Sequence, residues 1–529
     1  GGCPIAQDIP EYMELCNKGL YGPALKLITE KNALPFITGT ICAHRCQGKC
    51  SRNFYDESVH IRETKLLAAE KGYNALMASL RMPEPVDDKK VAIVGGGPTG
   101  IAAAYFCGRA GIETTIFERE RKLGGVPRYV IPAFRISDEA IDKDIALMMS
   151  YGVEVKCGKS APSVAELKEM GYTHILLATG AWKAGKLDIE GNVQGVIEWM
   201  KKEKKQVKPN LSGNIVVVGA GNTAMDAARV AKRMGAHATI LYRRTKKFMP
   251  ADEHELQLAI DEGVEFIELA APVKQAKGML LCDKMVLGEP DTSGRRSPVK
   301  SGEQFSIPCD LVLSAVGEQV DSDLMAANGI EMERKGPAFE TNVEGVYCAG
   351  DAHRGPATVV EGIADAARFA EAVIGAPYEY EIPAQAFITE SDAIAKHGIL
   401  KMSGKCEGER CLHCNTVCQV CADVCPNRAN VVITLPDGRH EILHVDRMCN
   451  ECGNCAVFCP YDSAPYRNKF TLFLTREGFD ESTENQGFLP LEGRKVLVRL
   501  DGKVFEADLD GQNDLPADVE TFILTVLKN

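Results

Sequence analysis

The sequence predicts a multidomain α/β protein, and three observations lead to this fold class. From residue 91 to about 375, short β-rich apolar runs alternate with helical stretches, a pattern typical of parallel sheets covered by helices. A glycine-rich loop occurs twice in this region, at 95–100 and at 219–224. Fourteen of the twenty cysteines form two groups, which are Cys3, Cys42, Cys46 and Cys50 near the start and the ten cysteines within 406–459. The 529 residues are enough for three or four domains of about 150 residues each.

Composition and charge narrow the possible partners. The chain is 45% hydrophobic and 25% charged, as expected of a soluble globular protein, and its formal net charge of −12 disfavours nucleic acid and anionic membrane. Its most apolar stretch, 91–111, is interrupted by glycines and a proline and reads as strand–turn–helix. Bunched cysteines favour metal ligation in a reducing cytoplasm, and no secretion signal opens the chain. Because the chain begins at Gly1 without methionine, we expect a fragment with further chain upstream.

The first glycine loop has the features of a dinucleotide site in a Rossmann-like fold. Gly95, Gly97 and Gly100 follow an apolar strand, and a helix begins at Pro98. The first glycine permits a tight turn, the second lets the backbone approach a pyrophosphate, and the third allows close helix–strand packing. The next strand ends at Glu118, which is placed to accept hydrogen bonds from an adenosine ribose. The loop therefore predicts an FAD site.

Later segments are predicted to contact the same nucleotide. Asp351 follows a strand and suits a ribityl hydroxyl, and the helix from about Pro356 is expected to point at the flavin. The other predicted cofactor contacts around this loop are Arg119, Gly124, Gly125, Arg135, Thr179, Gly180, Gly317, Gly350 and Thr358.

The second glycine loop predicts a nicotinamide nucleotide site. Its predicted contacts are Gly219, Gly221, Asn222, Thr223, Arg243 and Arg244, and alanine replaces the third glycine. At the end of the next strand, two arginines stand where an acidic residue would bind a free ribose 2′-hydroxyl. Their fork geometry and fixed charge suit a 2′-phosphate, so NADP(H) is preferred over NAD(H). A solvated basic turn that continues through Lys246 and Lys247 is the alternative.

Two dinucleotide folds also occur in thioredoxin and glutathione reductases, which need a vicinal cysteine pair beside the flavin. The five cysteines of the central region are isolated and are predicted to be small buried side chains: Cys107, Cys157, Cys282, Cys309 and Cys348. Electrons must therefore leave the flavin by another route.

The late cysteine group predicts two 4Fe–4S clusters in a bacterial ferredoxin-like α+β domain. The run 449–460 matches the C-x2-C-x2-C-x3-C-P pattern, and the run 414–426 resembles it with an irregular first spacing. Because the fourth cysteine of each run ligates the other cluster, one predicted set is Cys414, Cys418, Cys421 and Cys459, and the other is Cys425, Cys449, Cys452 and Cys455. Cys406 and Cys411 are left over, and Cys411 could displace Cys414. Zinc, which also binds C-x2-C pairs, is disfavoured by the two C-x3-C-P endings.

Together these motifs resemble the small-subunit family of glutamate synthase, which also supplies the electron-input half of dihydropyrimidine dehydrogenase. The resemblance covers roughly residues 1–380 and is carried by GCPIAQDIPEY, ICAHRCQGKC, the first glycine loop, GAGNTAMD, YRR and AGD. The ferredoxin-like domain and the tail beginning YRNKFTLF look most like the C-terminal half of flavoproteins named as selenate reductases. Those proteins occur beside molybdenum hydroxylases and purine-degradation enzymes.

The early cysteines could ligate metal by themselves, and the resemblance implies how. It implies that Cys3, Cys42 and Cys46 share a 4Fe–4S cluster with a non-cysteine ligand. At the position of this ligand, family members have Glu or Gln and this chain has Lys65. Glu63 is the nearest carboxylate that could replace it. Cys50 would complete another cluster whose remaining ligands lie upstream.

The predicted domains are a helical iron–sulfur domain (1–85), an FAD domain (86–197 and 306–385), an NAD(P)H domain (198–305), the ferredoxin-like domain (386–470) and a small α+β extension (471–529). The resemblance implies an oxidoreductase without a catalytic side chain, in which the flavin performs the chemistry. It would exchange electrons with a partner subunit or ferredoxin, and a molybdenum hydroxylase is one candidate. A self-sufficient reductase of an oxidant such as selenate and a glutamate synthase small subunit are the alternatives.

Overall fold

The computed structural model describes residues 2–54, 56–185, 187–204, 211–290, 296–331, 339–399, 406–511 and 513–528. The chain folds into two compact units. The terminal unit comprises residues 1–27, 44–68 and 381–529, and the central unit comprises 28–43 and 69–380. Among the described residues, every helix is too short or too polar to cross a membrane.

The first sheet of the central unit is parallel and five-stranded. Its strands, in spatial order, are Val346–Cys348, His174–Leu177, Val86–Val94, Ile112–Glu118 and Glu154–Cys157. Val91, Ala92 and Ile93 of the middle strand are fully buried, as expected of a parallel strand covered on both faces. This strand begins at Val86, so it also includes the charged residues 87–90.

The second sheet of the central unit has the same parallel architecture. Its strands, in spatial order, are Val193–Gly195, Leu311–Ser314, Asn214–Val218, His237–Tyr242 and Glu265–Glu268. The strands at 193–195 and 311–314 belong to this sheet, although the predicted boundaries assign both to the first fold. The reason is that buried parallel strands are alike in sequence, so their pattern does not indicate which sheet they join.

Two antiparallel sheets complete the strands of the central unit: Ala270–Ala276, Met279–Pro290 and Arg296–Pro308 in one, and Lys183–Ala184 with Glu318–Gln319 in the other. Its helices are Pro35–Ile41, Pro98–Arg109, Gly125–Tyr129, Asp138–Met149, Val164–Glu169, Val196–Glu203, Asn222–Arg233, Glu253–Asp261, Ser322–Ala327, Asp351–Arg354 and Val359–Ile374. Each helix that follows a glycine loop packs beside its own sheet, and Val359–Ile374 packs against Pro98–Arg109.

The terminal unit contains a six-stranded sheet in the spatial order Asn430–Thr434, His440–Val445, Thr471–Leu472, Gly487–Pro490, Lys495–Leu500 and Lys503–Asp508. Thr471–Leu472 pairs with His440–Val445, so this sheet continues across residue 470, where the sequence predicted a domain boundary. The last two strands form a hairpin, and the final helix buries Phe522 and Ile523 against the sheet. Its helices are Ile9–Asn17, Glu390–Ala395, Val420–Asp423, Asn454–Val457, Pro465–Asn468, Arg476–Glu481 and Ala517–Lys528; Tyr21–Lys31 and Ile61–Ser79 belong partly to each unit.

Candidate functional site

The first glycine loop is held by contacts that only glycine permits at two positions. Gly95 has φ +111°, and a Cβ atom there would lie 2.4 Å from the carbonyl oxygen of Ala178. A Cβ on Gly100 would lie 1.9 Å from the carbonyl oxygen of Gly95, so the helix can sit directly on the turn. At Gly97 the nearest atom to a Cβ is the Cα of Gly125, at 3.8 Å. Protein atoms therefore do not require glycine at 97, whereas a pyrophosphate lying on the backbone would.

Glu118 is oriented by the loop it follows. Its Oε2 accepts a hydrogen bond from the backbone N–H of Gly96 at 2.7 Å, and its Oε1 accepts one from Glu120 at 2.7 Å. An ionised carboxylate has about four acceptor sites, so capacity remains for a ribose hydroxyl. Gly124 donates from its backbone to the carbonyl of Gly96 at 2.7 Å, which places the predicted 124–125 pair against the glycine loop.

The segment around Asp351 packs against the start of the helix Pro98–Arg109. A Cβ on Gly350 would lie 2.3 Å from Thr99 Oγ1, so this turn approaches the loop as closely as glycine allows. Burial raises the pKa of Asp351 to about 6, while the backbone N–H of Ala357 donates to its Oδ1 at 3.1 Å. Thr358 caps the helix Val359–Ile374 in a capping box with Glu361. Nothing in the sequence marks Thr99 as part of the site, because its contact is with Gly350, 251 residues further along the chain.

One buried polar atom near this loop lacks a protein partner. Thr179 Oγ1 has no hydrogen bond within the described part of the chain, although buried hydroxyls are nearly always bonded. Its neighbour Gly180 has φ +72° and lies against Trp182, and the guanidinium of Arg119 lies 5.7 Å from the Trp182 ring centroid. The unpartnered hydroxyl, the open backbone at Gly97 and the oriented Glu118 together fit a bound dinucleotide.

Arg135, which the sequence predicted to contact the cofactor, forms ion pairs with two carboxylates. Its Nη1 lies 2.7 Å from Asp226 Oδ1 and 2.6 Å from Glu255 Oε2. The side chains of the arginine, the aspartate and the glutamate are 16%, 8% and 11% exposed. Both carboxylates are on helices that follow the second glycine loop, so Arg135 ties the two folds of the central unit together.

We expect Arg135→Ala to retain FAD but to lower the free energy of unfolding by about 3 kcal/mol, because it leaves two buried carboxylates without their partner. Burial raises the pKa of Asp226 to about 6, and Arg135 holds this rise back. In the variant this carboxyl takes up a proton more readily, so the loss of stability should be smaller at pH 5 than at pH 8. Denaturant unfolding at both values tests this, with exposed Arg121→Ala as control. Loss of FAD from folded Arg135→Ala protein would contradict the assignment.

The second glycine loop repeats the geometry of the first. Gly219 has φ +135°, and a Cβ there would lie 2.3 Å from the carbonyl oxygen of Ala315. At Gly221 the nearest atom to a Cβ is Pro250 Cγ, at 3.9 Å, which leaves the second glycine position open. Asn222 Oδ1 accepts from the backbone of Asp252 at 3.3 Å, and the Thr223 hydroxyl bonds the Glu318 carboxylate.

The arginine pair lies directly after the strand His237–Tyr242. Arg243 is exposed, and the buried Nε of Arg244 has no hydrogen-bond partner among the described residues. An unpartnered guanidinium N–H beside a glycine loop is suited to a phosphate oxygen. The predicted contact Gly317 has φ +114°, and its carbonyl accepts from the backbone of Gly185 at 2.6 Å.

Four of the late cysteines line one cavity in the terminal unit. These are Cys425, Cys449, Cys452 and Cys455, the set predicted to hold one cluster. Backbone N–H groups of Ala429 and Glu451 donate to the sulfurs of Cys425 and Cys449 at 3.2 and 3.3 Å. Such N–H···S bonds are among the features that tune iron–sulfur potentials, so the residues present fit a cubane.

The thiols of the other predicted set also approach one another. Burial, with smaller contributions from the thiols of Cys418, Cys455 and Cys459, raises the pKa of Cys421 to about 11. Cys414 acts electrostatically with Cys418 and also with Cys50. In the described part of the chain, no three Cys, His, Asp or Glu side chains converge closely enough to hold a single metal ion. A cubane is larger than an ion and holds its thiolates farther apart.

The early cysteines are divided between the two units. Cys3 and Cys46 are in the terminal unit, where both lie near the buried Tyr12 hydroxyl, and Cys42 follows the helix Pro35–Ile41 in the central unit. Glu63, the predicted substitute ligand, is half exposed, and its carboxylate accepts a hydrogen bond from the guanidinium of Arg62 at 3.0 Å. Lys65 is buried.

The isolated cysteines of the central unit are mostly buried, as predicted: Cys107, Cys282, Cys309 and Cys348. Burial raises the pKa of Cys107 and of Cys348 to about 12, so neither is a ready nucleophile. Cys157 is half-buried.

Comparison with known proteins gives two matching family models. Residues 89–366 match the pyridine nucleotide-disulphide oxidoreductase model, and residues 1–75 match the dihydropyrimidine dehydrogenase domain II, 4Fe-4S cluster model. The oxidoreductase YgfK of Escherichia coli (strain K12) is 40% identical over 98% of this chain and 53% of its own length. The chain thus spans about half the length of the first curated relatives it matches.

Two further relatives match about 70% of the chain. The NADPH-Fe(3+) oxidoreductase subunit beta of Geobacter sulfurreducens is 35% identical over 70% of this chain and 62% of its own length. The glutamate synthase [NADPH] small chain of Azospirillum brasilense is 30% identical over 70% of this chain and 84% of its own length.

Proposed function

Because the chain belongs to the pyridine nucleotide-disulphide oxidoreductase family and is similar to the glutamate synthase small chain, we propose that it passes electrons between NADPH and a partner protein. It is an oxidoreductase that uses FAD, NADP(H) and 4Fe–4S clusters. The partner, the direction of flow and the ligand assignments belong to the proposal.

The observation that carries the proposal is the presence of two kinds of electron-handling site on one chain. The central unit has two glycine loops, each open only at its second glycine, and the terminal unit has a cavity lined by four thiols. When bound at the first loop, FAD would supply two-electron acceptance from NADPH and one-electron release, which suits iron–sulfur clusters. The protein orients the nucleotides through Glu118 and Arg244 and supplies thiolates for the clusters.

Support for a partner protein comes from the relatives. The Geobacter relative is named as a beta subunit, and the small chain of glutamate synthase is named as one of its chains. We propose a partner subunit or a ferredoxin as the exchange partner, and the selenate reductase-type resemblance favours a molybdenum hydroxylase of purine or selenium metabolism.

Anaerobic purification followed by NADPH titration tests the proposal. We expect flavin and cluster absorbance to bleach together, and viologen dyes to be reduced with turnover. Selenate should not stimulate NADPH oxidation by the isolated chain. Bleaching of the flavin without any bleaching of the clusters would contradict the electron path.

The arginine pair should determine the nucleotide preference. Hydrogen bonds to charged groups contribute about 1.5–3 kcal/mol each, so the loss of both arginines in Arg243→Ala/Arg244→Ala should raise the KM for NADPH roughly a hundredfold or more. The KM for NADH should change little, because NADH lacks the 2′-phosphate. Lys246→Ala, an exposed change three residues from Arg243, is the matched control. An equal loss for both nucleotides would mean that the arginines position the turn and do not read the phosphate.

A further inference from the structure

Residues 124–135 form a strap that starts on the first glycine loop and ends in the second fold of the central unit. At its start, the backbone N–H of Gly124 donates to the carbonyl of Gly96 at 2.7 Å. A Cβ on Gly125 would lie 2.7 Å from the Cα of Gly97, the glycine that protein atoms leave open. The strap therefore begins beside the backbone that would receive the FAD pyrophosphate.

The middle of the strap is buried in the second fold. The side chain of Val130 is 2% exposed and belongs to the same hydrophobic cluster as residues of the helices Val196–Glu203 and Asn222–Arg233. Lys204, which directly follows the first of these helices, donates from its Nζ to the carbonyl of Ile131. A shift of the strap would therefore disturb both helices.

The end of the strap binds the helix that follows the second glycine loop. The centroid of the Phe134 ring lies 3.8 Å from the guanidinium carbon of Arg233 and 4.8 Å from that of Arg229. The next residue, Arg135, lies 2.7 Å from Asp226 of the same helix. These three helix residues are spaced by three and four positions, so they lie on one face of the helix, which the strap covers.

Carboxylates from a neighbouring helix complete a charge-balanced network around the strap. Glu255 lies 2.6 Å from Arg135 and 3.6 Å from Arg229. Glu262 lies 2.7 Å from both Arg229 and Arg233. With the aspartate, three carboxylates face three guanidinium groups, so removing Arg135 leaves buried negative charge without its partner.

Both helices that hold the end of the strap begin at the second glycine loop. The first begins at Asn222, whose Oδ1 accepts a hydrogen bond from the backbone N–H of Asp252 at 3.3 Å. Asp252 is in turn the N-cap of the helix Glu253–Asp261. The backbone N–H of Ala251 donates to the carbonyl of Ala220, within the loop, at 3.1 Å. The strap therefore connects the two loops through an unbroken series of contacts.

We propose that the strap couples the two nucleotide sites, so that a nucleotide on either glycine loop tightens binding at the other. Phe134 and Arg135 are positioning residues for this coupling, because they hold the helix that starts at the second loop. Such coupling is reciprocal by linkage. The inference rests on the proposed function, because it requires a nucleotide on each loop.

The sign of the coupling follows from the conformation of the strap. Gly124 and Gly125 have φ of +127° and +53°, and glycine in a free chain leaves such conformations readily. Whichever nucleotide binds first orders the strap, so the second nucleotide has less conformational freedom to remove.

The test uses 2′-phospho-ADP-ribose, which has the pyrophosphate and 2′-phosphate of NADP(H) but no nicotinamide. This probe has no ring to stack on the flavin and carries no electrons, so its effect on FAD must pass through the protein. We expect a saturating amount to slow the release of FAD from the diluted full-chain holoprotein roughly fivefold or more, read by flavin fluorescence.

In Phe134→Ala/Arg135→Ala, the probe should still bind by calorimetry, but the rates of FAD release with and without it should become equal. Phe134→Tyr retains the ring between the two guanidinium groups and should retain the slowing. Met149→Ala, an exposed apolar change elsewhere in the central unit, is the control and should also retain it. Phe134→Ala alone leaves the buried ion pairs in place and should reduce the slowing, so it provides the comparison where the double variant does not fold.

Equal slowing in the unmodified chain, in Phe134→Ala and in the double variant would overturn the inference, because the coupling would then not use the strap. Calorimetric binding of the probe without any change in FAD release from the unmodified chain would overturn it as well. Failure of the probe to bind would contradict the nucleotide site of the proposed function, and the inference with it. Calorimetry thus distinguishes failure of the coupling from failure of the site.

Discussion

Gly100→Ala should yield a protein that binds FAD roughly ten- to hundredfold more weakly than the unmodified chain. The new Cβ would lie 1.9 Å from the carbonyl oxygen of Gly95, and the only relief is movement of the helix Pro98–Arg109 away from the turn. Overpacking of this kind costs about 1–3 kcal/mol, and here the cost falls on the conformation that receives the pyrophosphate. FAD per chain and a fluorescence titration of the apoprotein give the measurement.

Gly97→Ala is the matched comparison, because its Cβ would meet protein atoms only at 3.8 Å. We expect this variant to keep the free energy of unfolding of the apoprotein and still to bind FAD weakly, since the methyl group occupies the path of the pyrophosphate. Gly221→Ala should do the same for NADPH and leave FAD in place. If Gly97→Ala bound FAD as tightly as the unmodified chain, the nucleotide would not lie on this loop.

The glycine loops were predictable because their requirements are local. A turn with positive φ at the first glycine and a helix starting at Pro98 follow from residues within one short segment. The two ferredoxin-type cysteine runs were predictable for the same reason, because the spacing of their ligands is a property of one stretch of chain.

Features that depend on tertiary contacts were not predictable in the same way. Arg135 was predicted as a cofactor contact, and its partners in the structure are Asp226 and Glu255, which lie 91 and 120 residues further along the chain. The strand Leu311–Ser314 joins the second sheet through pairing with 214–218, a choice that its own sequence does not specify. Glu63 was predicted as a ligand from its charge, and in the structure its carboxylate accepts a hydrogen bond from the adjacent Arg62.

Cys449→Ser should reduce viologen reduction by NADPH at least tenfold while the FAD content stays unchanged. Loss of residues that only support metal ligands typically costs 10–100-fold in affinity or activity, and the loss of a ligand should cost no less. Reduction of ferricyanide, a small acceptor able to take electrons without a cluster, should keep most of its rate. The two assays on one preparation separate nucleotide oxidation from electron exit.

Cys425→Ser makes this prediction specific to the cavity. Cys425 lies in the other ferredoxin-type run, yet it lines the same cavity as Cys449, Cys452 and Cys455. Cys425→Ser should therefore remove the same EPR signal as Cys449→Ser, and the double variant should lose no further iron. A clear additional loss in the double variant would mean that the two runs hold separate clusters, each with its own four ligands. Unchanged viologen turnover in both variants would mean that electrons leave the central unit without using this cluster.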